Sequence, residues 1–314
     1  MITLKQLRYF LALGRHRHFG RAAEECHVSQ PALSVQIQEL EAMLGVALVE
    51  RRRAGIELTP MGMEIEARAR RVMTEAADLM DFARARTETL VGTLRLGVIP
   101  SIAPYVLPAA LPLLQRRYPR LDLRLRETLT RNLVADLIDG HLDVALLSLP
   151  MDDPALEALA LHDDAFVLAV PAARASATAG LEPGEALAAP DLLLLEEGHC
   201  LRDQALAVCG TAGIGARRYG ASSLTTVMRM VANGYGSTLL PEIAVPVEVH
   251  DSDALALFRL GDPEPRRVLG LTWRRTSPRR ADFEALGAVM AEAIGGAVGG
   301  NRGRWPVLGL GHAE

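Results

Sequence analysis

The residues best suited to chemistry lie in the stretch EEGHCLRDQALAVCG, which holds two of the chain's three cysteines, Cys200 and Cys209. His199 precedes the first thiol, and Arg202 and Asp203 follow it. A segment of this kind can form a metal site, a catalytic thiol, a redox pair, or two buried small hydrophobic residues. The number of donors, their spacing and the elements that hold them favour one possibility over another.

A metal site is disfavoured by the number and order of the donors. Zinc takes three or four ligands, whereas Cys200, His199 and Cys209 supply at most three, and an adjacent histidine and cysteine chelate poorly. We therefore predict no metal ion and no other cofactor. The third cysteine, Cys26, falls on the apolar face of a short helical segment, where a free thiol behaves as a small buried hydrophobe.

A reactive thiol at the start of a helix suits the spacing better. Residues 201–208 are compatible with a helix, a glycine comes just before the His199–Cys200 pair, and Gly210 would stop the helix. Cys200 would then lie at or near the helix N-terminus, where the helix dipole lowers the pKa of a thiol. His199 and Arg202 are available as nearby cations, which would favour the thiolate further.

The spacing also constrains how the two thiols can react with each other. If residues 200–209 formed one helix, nine steps of about 1.5 Å would place the two Cα atoms roughly 13 Å apart, with the side chains on opposite faces. A disulfide needs Cα atoms within about 7 Å of each other. Oxidation of this pair would therefore have to unwind the segment, which is the behaviour of a conformational switch.

The amino-terminal segment, residues 1–60, predicts a helix-turn-helix followed by two short strands around a basic turn. The second helix of the motif would enter the major groove of DNA, with an N-cap and first turn that are polar and contain a proline. The residues predicted to contact DNA from this helix and from the strand turn are Ser29, Gln30, Pro31, Ser34, Gln36, Arg51, Arg52 and Arg53. Gln30 and Ser34 are placed to read base edges, and the three arginines to contact phosphate or the minor groove. A small helical bundle with a solvated polar face is the alternative.

Charge and composition limit the class of protein. The net charge is −4, so the whole chain does not resemble a nucleic-acid binder, but residues 1–60 hold eight Lys or Arg against six Asp or Glu. The chain has no apolar run long enough to span a bilayer, and its first residues lack a signal-peptide pattern. Three cysteines in so long a chain make a structural disulfide framework improbable. We therefore expect a cytoplasmic protein that does not act at a membrane.

The rest of the chain predicts one long helix and then an α/β region. Residues 60–91 form a single amphipathic helical pattern that would pack on a partner. From Thr93, strands and helices alternate, which predicts a largely parallel sheet in two successive units. We expect five segments: a DNA-binding domain at 1–60, a linker helix at 61–91, subdomain I at 92–163 and 267–298, subdomain II at 164–266, and a disordered tail at 299–314, in which Trp305 could still pack.

The sequence AAEECHVSQPALSVQIQELEAMLGVALVERR, followed by LTPMG, resembles the DNA-binding region of LysR-type transcriptional regulators. The resemblance extends over everything except the tail. It implies a winged helix-turn-helix domain, a long dimerising linker helix, and an α/β effector domain of two Rossmann-like subdomains similar to type 2 periplasmic binding proteins. It also implies binding to double-stranded operator DNA, a homodimer or a homotetramer built from dimers, and contact with RNA polymerase.

A closer resemblance involves the stretch LLLLEEGHCLRDQALAVC together with SLTTVMRMVANGYGSTLLP and PEPRR, which is similar to the peroxide-sensing OxyR branch of that family. It implies that hydrogen peroxide oxidises Cys200 to a sulfenic acid and that Cys209 resolves it as a reversible intramolecular disulfide. A resolving thiol close by protects a sulfenic acid from further oxidation. Glutaredoxin or thioredoxin would supply the reducing equivalents.

The same resemblance implies roles for further residues around the thiol. His199, Arg202 and Asp203 match the motif that surrounds the reactive cysteine, and Arg267, with Arg266 as the alternative, would be a cation near the thiolate. Two hydroxyls would line a peroxide pocket, Ser101 and Thr130, of which Ser101 replaces the threonine usual in the family. From the residues alone, Ser101 could equally be a strand-end turn hydroxyl and Thr130 a helix cap.

Two other functions compete with a peroxide-responsive regulator. The chain could be a LysR-type regulator that senses an organic effector in the cleft of its binding domain, with incidental cysteines. It could also be a thiol peroxidase, although a DNA-binding domain would then be redundant. We find no Ser–His–Asp, phosphate-loop or paired-carboxylate motif and expect no enzyme. A peroxide titration distinguishes the three, because a regulator responds stoichiometrically and a peroxidase turns over.

Overall fold

The structure, a computed structural model, describes residues 1–52, 55–84, 88–188, 191–209, 221–250, 254–299 and 304–308. The chain divides into two compact units, Met1–Thr87 with Ile138–His141, and Glu88–Leu137 with Leu142–Glu314. Within the described residues, we find no helix that combines the length and the apolar character needed to cross a membrane.

The first unit contains the predicted helix-turn-helix and hairpin. Its elements are α1 (Leu4–His16), α2 (Phe19–Glu25), α3 (Gln30–Leu44), the antiparallel strands β1 (Val49–Arg52) and β2 (Gly55–Leu58), and α4 (Pro60–Arg84). The turn between α2 and α3 contains His27 in the left-handed region at φ 56°. Ser29 ends this turn as the predicted N-cap of α3, because its side chain accepts a hydrogen bond from the Ala32 amide.

Apolar side chains spaced three and four residues apart form the core of this unit. Phe10 and Leu13 of α1 are fully buried, and they pack in one cluster with Leu33 and Ile37 of α3. Cys26 belongs to the same cluster and is 6% exposed. Burial raises the pKa of the Cys26 thiol, outweighing the opposing effect of Arg8. The prediction that Cys26 is a buried small hydrophobe is confirmed.

Helix α4 corresponds to the predicted linker helix and is 25 residues long, but the predicted extension to residue 91 is wrong, because residues 88–91 are not helical. Several of its large apolar side chains are exposed in the single chain, among them Val72, Leu79 and Met80. Leu79 is the most exposed of the three, at 71%. An apolar stripe of this kind on a long helix is typical of a surface that packs against a second helix.

The second unit is an α/β domain. Its strands are β3 (Gly92–Val98), β4 (Leu121–Glu127), β5 (Val144–Leu149), β6 (Leu156–Pro171), β7 (Thr238–Pro241), β8 (Leu255–Arg259) and β9 (Arg266–Arg274). Its helices are α5 (Ala103–Arg117), α6 (Thr130–Ile138), α7 (Ala175–Ala179), α8 (Pro183–Leu187), α9 (Cys200–Cys209), α10 (Leu224–Ala232), α11 (Val245–Glu248) and α12 (Arg280–Val298). Short 3-10 turns precede α7 and α11. Strands and helices alternate as predicted from β3 to β5, whereas β6 follows β5 directly, four helices of the described residues lie between β6 and β7, and β9 follows β8 directly.

The sheet of this domain is mixed rather than largely parallel, which corrects the prediction. The strand order is β4-β3-β5-β9-β6-β7, and β8 pairs with β6. Strand β3 runs parallel to β4 and β5, whereas β9 and β6 pair antiparallel with all their strand neighbours. The alternation of strands and helices could not show this, because β6 and β9 are long strands from distant parts of the chain.

Strand β6 joins the two halves of the domain. Residues 156–165 pair with β9, and residues 166–171 pair with β7 and β8. The division between subdomains I and II predicted at residues 163/164 falls inside this strand, and the one predicted at 266/267 falls at the start of β9. Asp164 and Arg267 are direct register partners at this crossing.

Part of the carboxyl-terminal tail is ordered against the domain, so the prediction of a disordered tail is wrong for residues 304–308. The Arg259 amide donates to the Pro306 carbonyl, and the Leu308 amide donates to the Arg259 carbonyl, both over 2.9 Å. Leu308 is 3% exposed, and the Arg259 guanidinium lies 5.8 Å from the centre of the Trp305 ring. Apolar and aromatic side chains thus anchor a segment that composition alone identifies as glycine-rich.

Candidate functional site

The two redox candidates lie at opposite ends of one helix, as the sequence predicts. Cys200 is the first residue of α9 and Cys209 the last, and both are partly exposed and not joined in a disulfide. Leu201 and Ala205 bury one side of the helix. With α9 intact, the ten-residue length keeps the two Cα atoms about 13 Å apart, which is beyond disulfide distance.

The loop that enters α9 packs against the beginning of α6. Gly198 has φ 95°, in the region that favours glycine, and a Cβ atom at this position would lie 3.3 Å from Leu129 Cδ1 and 3.7 Å from Arg131 Nη1. The residues on both sides of Thr130 therefore contact the turn before Cys200. Sequence analysis recognised this glycine only as a helix boundary, and its spacing carries no signal for the packing.

Thr130 has the environment of a hydroxyl available to a ligand. It is the first residue of α6, and its Oγ1 is buried without a hydrogen-bond partner. A buried, unpaired hydroxyl costs free energy unless a ligand or a water molecule bonds to it. The alternative reading of Thr130 as a helix cap is not supported, because its hydroxyl makes no capping bond to the helix backbone.

Ser101 and Arg267 are brought together at the crossing of the strands. Arg267 donates from Nη1 to Ser101 Oγ over 2.9 Å, from Nη2 to the Ser101 carbonyl over 3.0 Å, and from Nε to Asp164 over 2.9 Å. The side chains of Arg267 and Asp164 are both 0% exposed. Asp164 thus balances the positive charge of Arg267, which was expected to lie near the thiolate. Arg267 also orients Ser101. The other candidate, Arg266, pairs at 3.4 Å with Asp163 and is exposed.

The residues next to Cys200 have different roles from those suggested by their charges. Burial lowers the pKa of His199, with Glu196 opposing the effect, so the imidazole is neutral at neutral pH. This argues against His199 as a cation beside the thiol. Arg202 donates from Nη1 to the Leu195 carbonyl over 3.0 Å, which fastens the helix to the preceding segment. Asp203 is exposed in the first turn of α9, where a carboxylate suits the helix dipole.

Gln204 is a residue that sequence analysis missed. It lies one turn after Cys200, and its Nε2 donates to Ser148 Oγ over 2.6 Å. Its Oε1 atom is buried and has no hydrogen-bond partner. No local sequence pattern signals this contact, because Ser148 is on β5, far away along the chain. In the described ranges, no group of three or more His, Cys, Asp or Glu side chains is arranged to hold a metal ion.

A second polar contact joins the two subdomains on the side of α5 and α11. Tyr105 donates from its hydroxyl to Glu248 over 2.8 Å, and Thr225 donates to the same carboxylate oxygen over 2.8 Å. Burial, and then the bond to Glu248, raises the pKa of Tyr105 far above its usual range, so the phenol stays protonated. Glu248 is 4% exposed and was not predicted.

The candidate DNA face lies at the start of α3. Gln30 and Pro31 are exposed there, Ser34 is half-buried, and Ser29 uses its hydroxyl as the helix cap. Gln36 donates to Glu39 over 2.7 Å, an interaction that a DNA contact would have to replace. Arg51 and Arg52 lie in β1, but their side chains and Arg53 are outside the described residues.

One apolar residue on the same helix was missed. Val35 is 49% exposed, and an exposed aliphatic group on a helix that enters the major groove can contact a thymine methyl. The residues around Val35 in the sequence do not distinguish it from the apolar residues of α3 that are buried.

The chain matches two family descriptions. Residues 4–63 match "Bacterial regulatory helix-turn-helix protein, lysR family", and residues 87–295 match "LysR substrate binding domain". It is 44% identical to a probable hydrogen peroxide-inducible genes activator of Streptomyces viridosporus, over 93% of this chain and 94% of that protein. It is 42% identical to the DNA-binding transcriptional dual regulator OxyR of Escherichia coli strain K12, over 93% of this chain and 95% of that one.

Solved structures give the same assignment. Full-length OxyR of Pseudomonas aeruginosa with a cysteine-to-aspartate substitution is similar at TM-score 0.77 and 36% identity, over 94% of this chain and 95% of that one. A hydrogen peroxide-bound mutant of Corynebacterium glutamicum OxyR is similar at TM-score 0.66 and 36% identity, over 95% of this chain and 94% of that one. The helix-turn-helix, the two-subdomain effector domain and these similarities together place the chain in the LysR family of bacterial transcriptional regulators, in its OxyR branch.

Proposed function

We propose that this protein is a peroxide-sensing, DNA-binding transcriptional regulator whose redox switch is the Cys200–Cys209 pair. The observation that carries the proposal is α9, which has a partly exposed thiol at each end. The turn before this helix packs against the residues on both sides of Thr130. The relatives that are named as peroxide-inducible activators support the same function. The unpaired Thr130 hydroxyl and Ser101 would bond to the peroxide oxygens.

The proposed oxidation has two balanced steps. The Cys200 thiolate attacks one oxygen of hydrogen peroxide, an S–O bond forms as the O–O bond breaks, and hydroxide leaves and takes up a proton to become water. The Cys209 thiol then loses its proton and attacks the sulfenic sulfur, so that an S–S bond forms and a second water molecule leaves. Two electrons and two protons from glutaredoxin or thioredoxin return both residues to thiols.

The geometry requires that this reaction changes the fold. An intact α9 holds the cysteines farther apart than a disulfide allows, so at least part of residues 201–208 must unwind. Unwinding removes the buried side chains of Leu201 and Ala205 from their present packing. A chemical change at one thiol thereby becomes a rearrangement of the domain surface, which is how a local event can alter regulation.

The amino-terminal unit would transmit that change to DNA. Helix α3 would lie in the major groove of an operator, and the arginines at 51–53 would contact the backbone or minor groove. The exposed apolar stripe of α4 would form the dimer, and dimers would pair into a tetramer that contacts RNA polymerase at promoters of antioxidant genes. A regulator of this kind would act in the cytoplasm.

Thiol mapping before and after brief exposure to peroxide tests the proposal. We expect a Cys200–Cys209 disulfide in the wild type, no peroxide response in Cys200→Ser, and sulfenic or over-oxidised Cys200 in Cys209→Ser. Cys26 should stay free throughout, because it is buried. Hydrogen exchange should increase across residues 201–208 when the disulfide forms. A regulator whose Cys200 is unreactive, but whose DNA binding responds to an organic ligand, would contradict the proposal.

A further inference from the structure

Gln204 connects the reactive helix to the central sheet. Its Nε2 donates to the hydroxyl of Ser148 over 2.6 Å, and Ser148 lies near the end of β5 and is 7% exposed. The Ser148 hydroxyl donates in turn to the backbone carbonyl of Val268 in β9, over 3.4 Å. One side-chain amide therefore links α9 to two strands that belong to distant parts of the chain.

This link depends on the helical state of α9. Gln204 lies midway between Cys200 and Cys209, within the segment that must unwind if the two sulfur atoms are to meet. The bond to Ser148 needs the Gln204 side chain at one fixed place on the surface of β5. The contact is therefore available to the dithiol form and lost in the disulfide form.

We propose that Gln204 is a positioning residue that sets the redox poise of the cysteine pair by holding the reduced helix on Ser148. The inference rests on the disulfide switch proposed above. A bond made only in the dithiol form stabilises that form, so it raises the reduction potential and makes the disulfide easier to reduce. Removing the bond has the opposite effect, and the protein remains oxidised under more reducing conditions.

The unpaired Oε1 of Gln204 makes the size of the effect depend on which partner is changed. Gln204→Met keeps the length and helix propensity of the side chain and removes both the donor and the buried, unpaired acceptor. Ser148→Ala leaves the whole amide buried without a partner, which costs more than losing one neutral hydrogen bond. Ser148→Ala should therefore shift the equilibrium farther than Gln204→Met.

The experiment equilibrates the full-length protein with glutathione buffers of stepped redox ratio, alkylates the free thiols, and measures the disulfide fraction by mass. We expect Gln204→Met to move the equilibrium constant toward the disulfide by roughly two- to tenfold, the range of one neutral hydrogen bond. A tenfold change corresponds to about 30 mV for this two-electron couple. In the Gln204→Met background, Ser148→Ala should add little, since the bond is already absent.

Ala207→Gly is the matched control, because Ala207 is exposed on the same helix and glycine weakens a helix without touching Ser148. Ala207→Gly should shift the equilibrium toward the disulfide by roughly fivefold. The shift should be the same in the wild-type protein and in Ser148→Ala. If Ala207→Gly shifts the equilibrium but Gln204→Met and Ser148→Ala do not, the proposed role of the Gln204–Ser148 bond is wrong. The disulfide switch itself would still stand. Additive effects of the Gln204 and Ser148 changes would overturn the role of that bond too. Failure of the wild type to form the disulfide at any ratio would instead refute the proposed function.

Discussion

His199 shows how burial changes the chemistry of a residue beside a reactive thiol. Its imidazole is half-buried, and burial outweighs the attraction of the Glu196 carboxylate, so the neutral form is favoured. A neutral imidazole can accept a proton from a thiol, whereas an imidazolium can only stabilise a thiolate that already exists. The structure therefore argues against His199 as an imidazolium that stabilises a thiolate.

The lowered pKa of His199 predicts a pH dependence with a definite sign. The unfolded chain takes up a proton near the ordinary value of 6.5, and the folded chain only at lower pH, so folding stability falls as the pH decreases from that value toward the folded pKa. An NMR titration should give a His199 midpoint below 6.5. In His199→Gln the loss of stability between these two pH values should be smaller. A midpoint at or above the ordinary value would contradict the assignment.

Residue types alone predicted some roles well and others poorly. Cys26 could be identified as buried because its helix has a clear apolar face. Ser101 and Thr130 could not be distinguished from ordinary turn and cap hydroxyls, and only the contacts of Arg267 and the unpaired Thr130 Oγ1 separate them. Asp164 was missed altogether, because its pairing with Arg267 depends on the register of β6 against β9. Partners set by tertiary register leave no local pattern in a sequence.

At the scale of the element, α3 and α9 were predictable for the same reason. Each has its own start and stop signals, Ser29 and Gly45 for α3, and Gly198 before the His199–Cys200 pair and Gly210 for α9. The sheet was less predictable, because strand direction depends on how β6 and β9 meet. Local sequence sets where an element begins and ends, and distant sequence sets which neighbours it pairs with.

The exposed start of α3 predicts a specific loss of DNA affinity. Gln30→Ala should weaken binding to the operator by about 1–3 kcal/mol if its amide reads a base, with little change on random DNA. Gel-shift titrations on both DNAs measure this. Gln38→Ala, a change of the same type about two turns farther along the helix, is the matched control. Equal losses on operator and random DNA for Gln30→Ala would remove Gln30 from the base-reading residues.

At the scale of the whole effector domain, polar side chains join the two subdomains at several places in the described residues. Tyr105 bonds to Glu248 on one side, and Gln204 bonds to Ser148 on another. The Arg267–Asp164 pair lies where β6 and β9 cross between the subdomains. Buried polar pairs of this kind are strongly destabilised when one partner is lost. A rearrangement at α9 therefore acts on a domain whose halves are joined by side-chain bonds at α9, at α11 and at the crossing of β6 and β9.

The ordered tail has a consequence for the solubility of the protein. Strand β8 is paired with β6 on one side, and in the described part of the chain its other side is covered only by the bridge from Arg259 to Val307. An uncovered strand edge is a template for pairing with another molecule. A protein truncated after residue 298 should therefore self-associate as its concentration rises, beyond the oligomer of the full chain, and sedimentation velocity would measure this. Trp305→Ala keeps the backbone bonds of residues 306 and 308 and should not aggregate. Aggregation of both variants would instead show that the Trp305 ring on Arg259 prevents the self-association. If the truncated protein did not self-associate, the edge of β8 would need no cover. An expression tag could then replace the tail without causing aggregation.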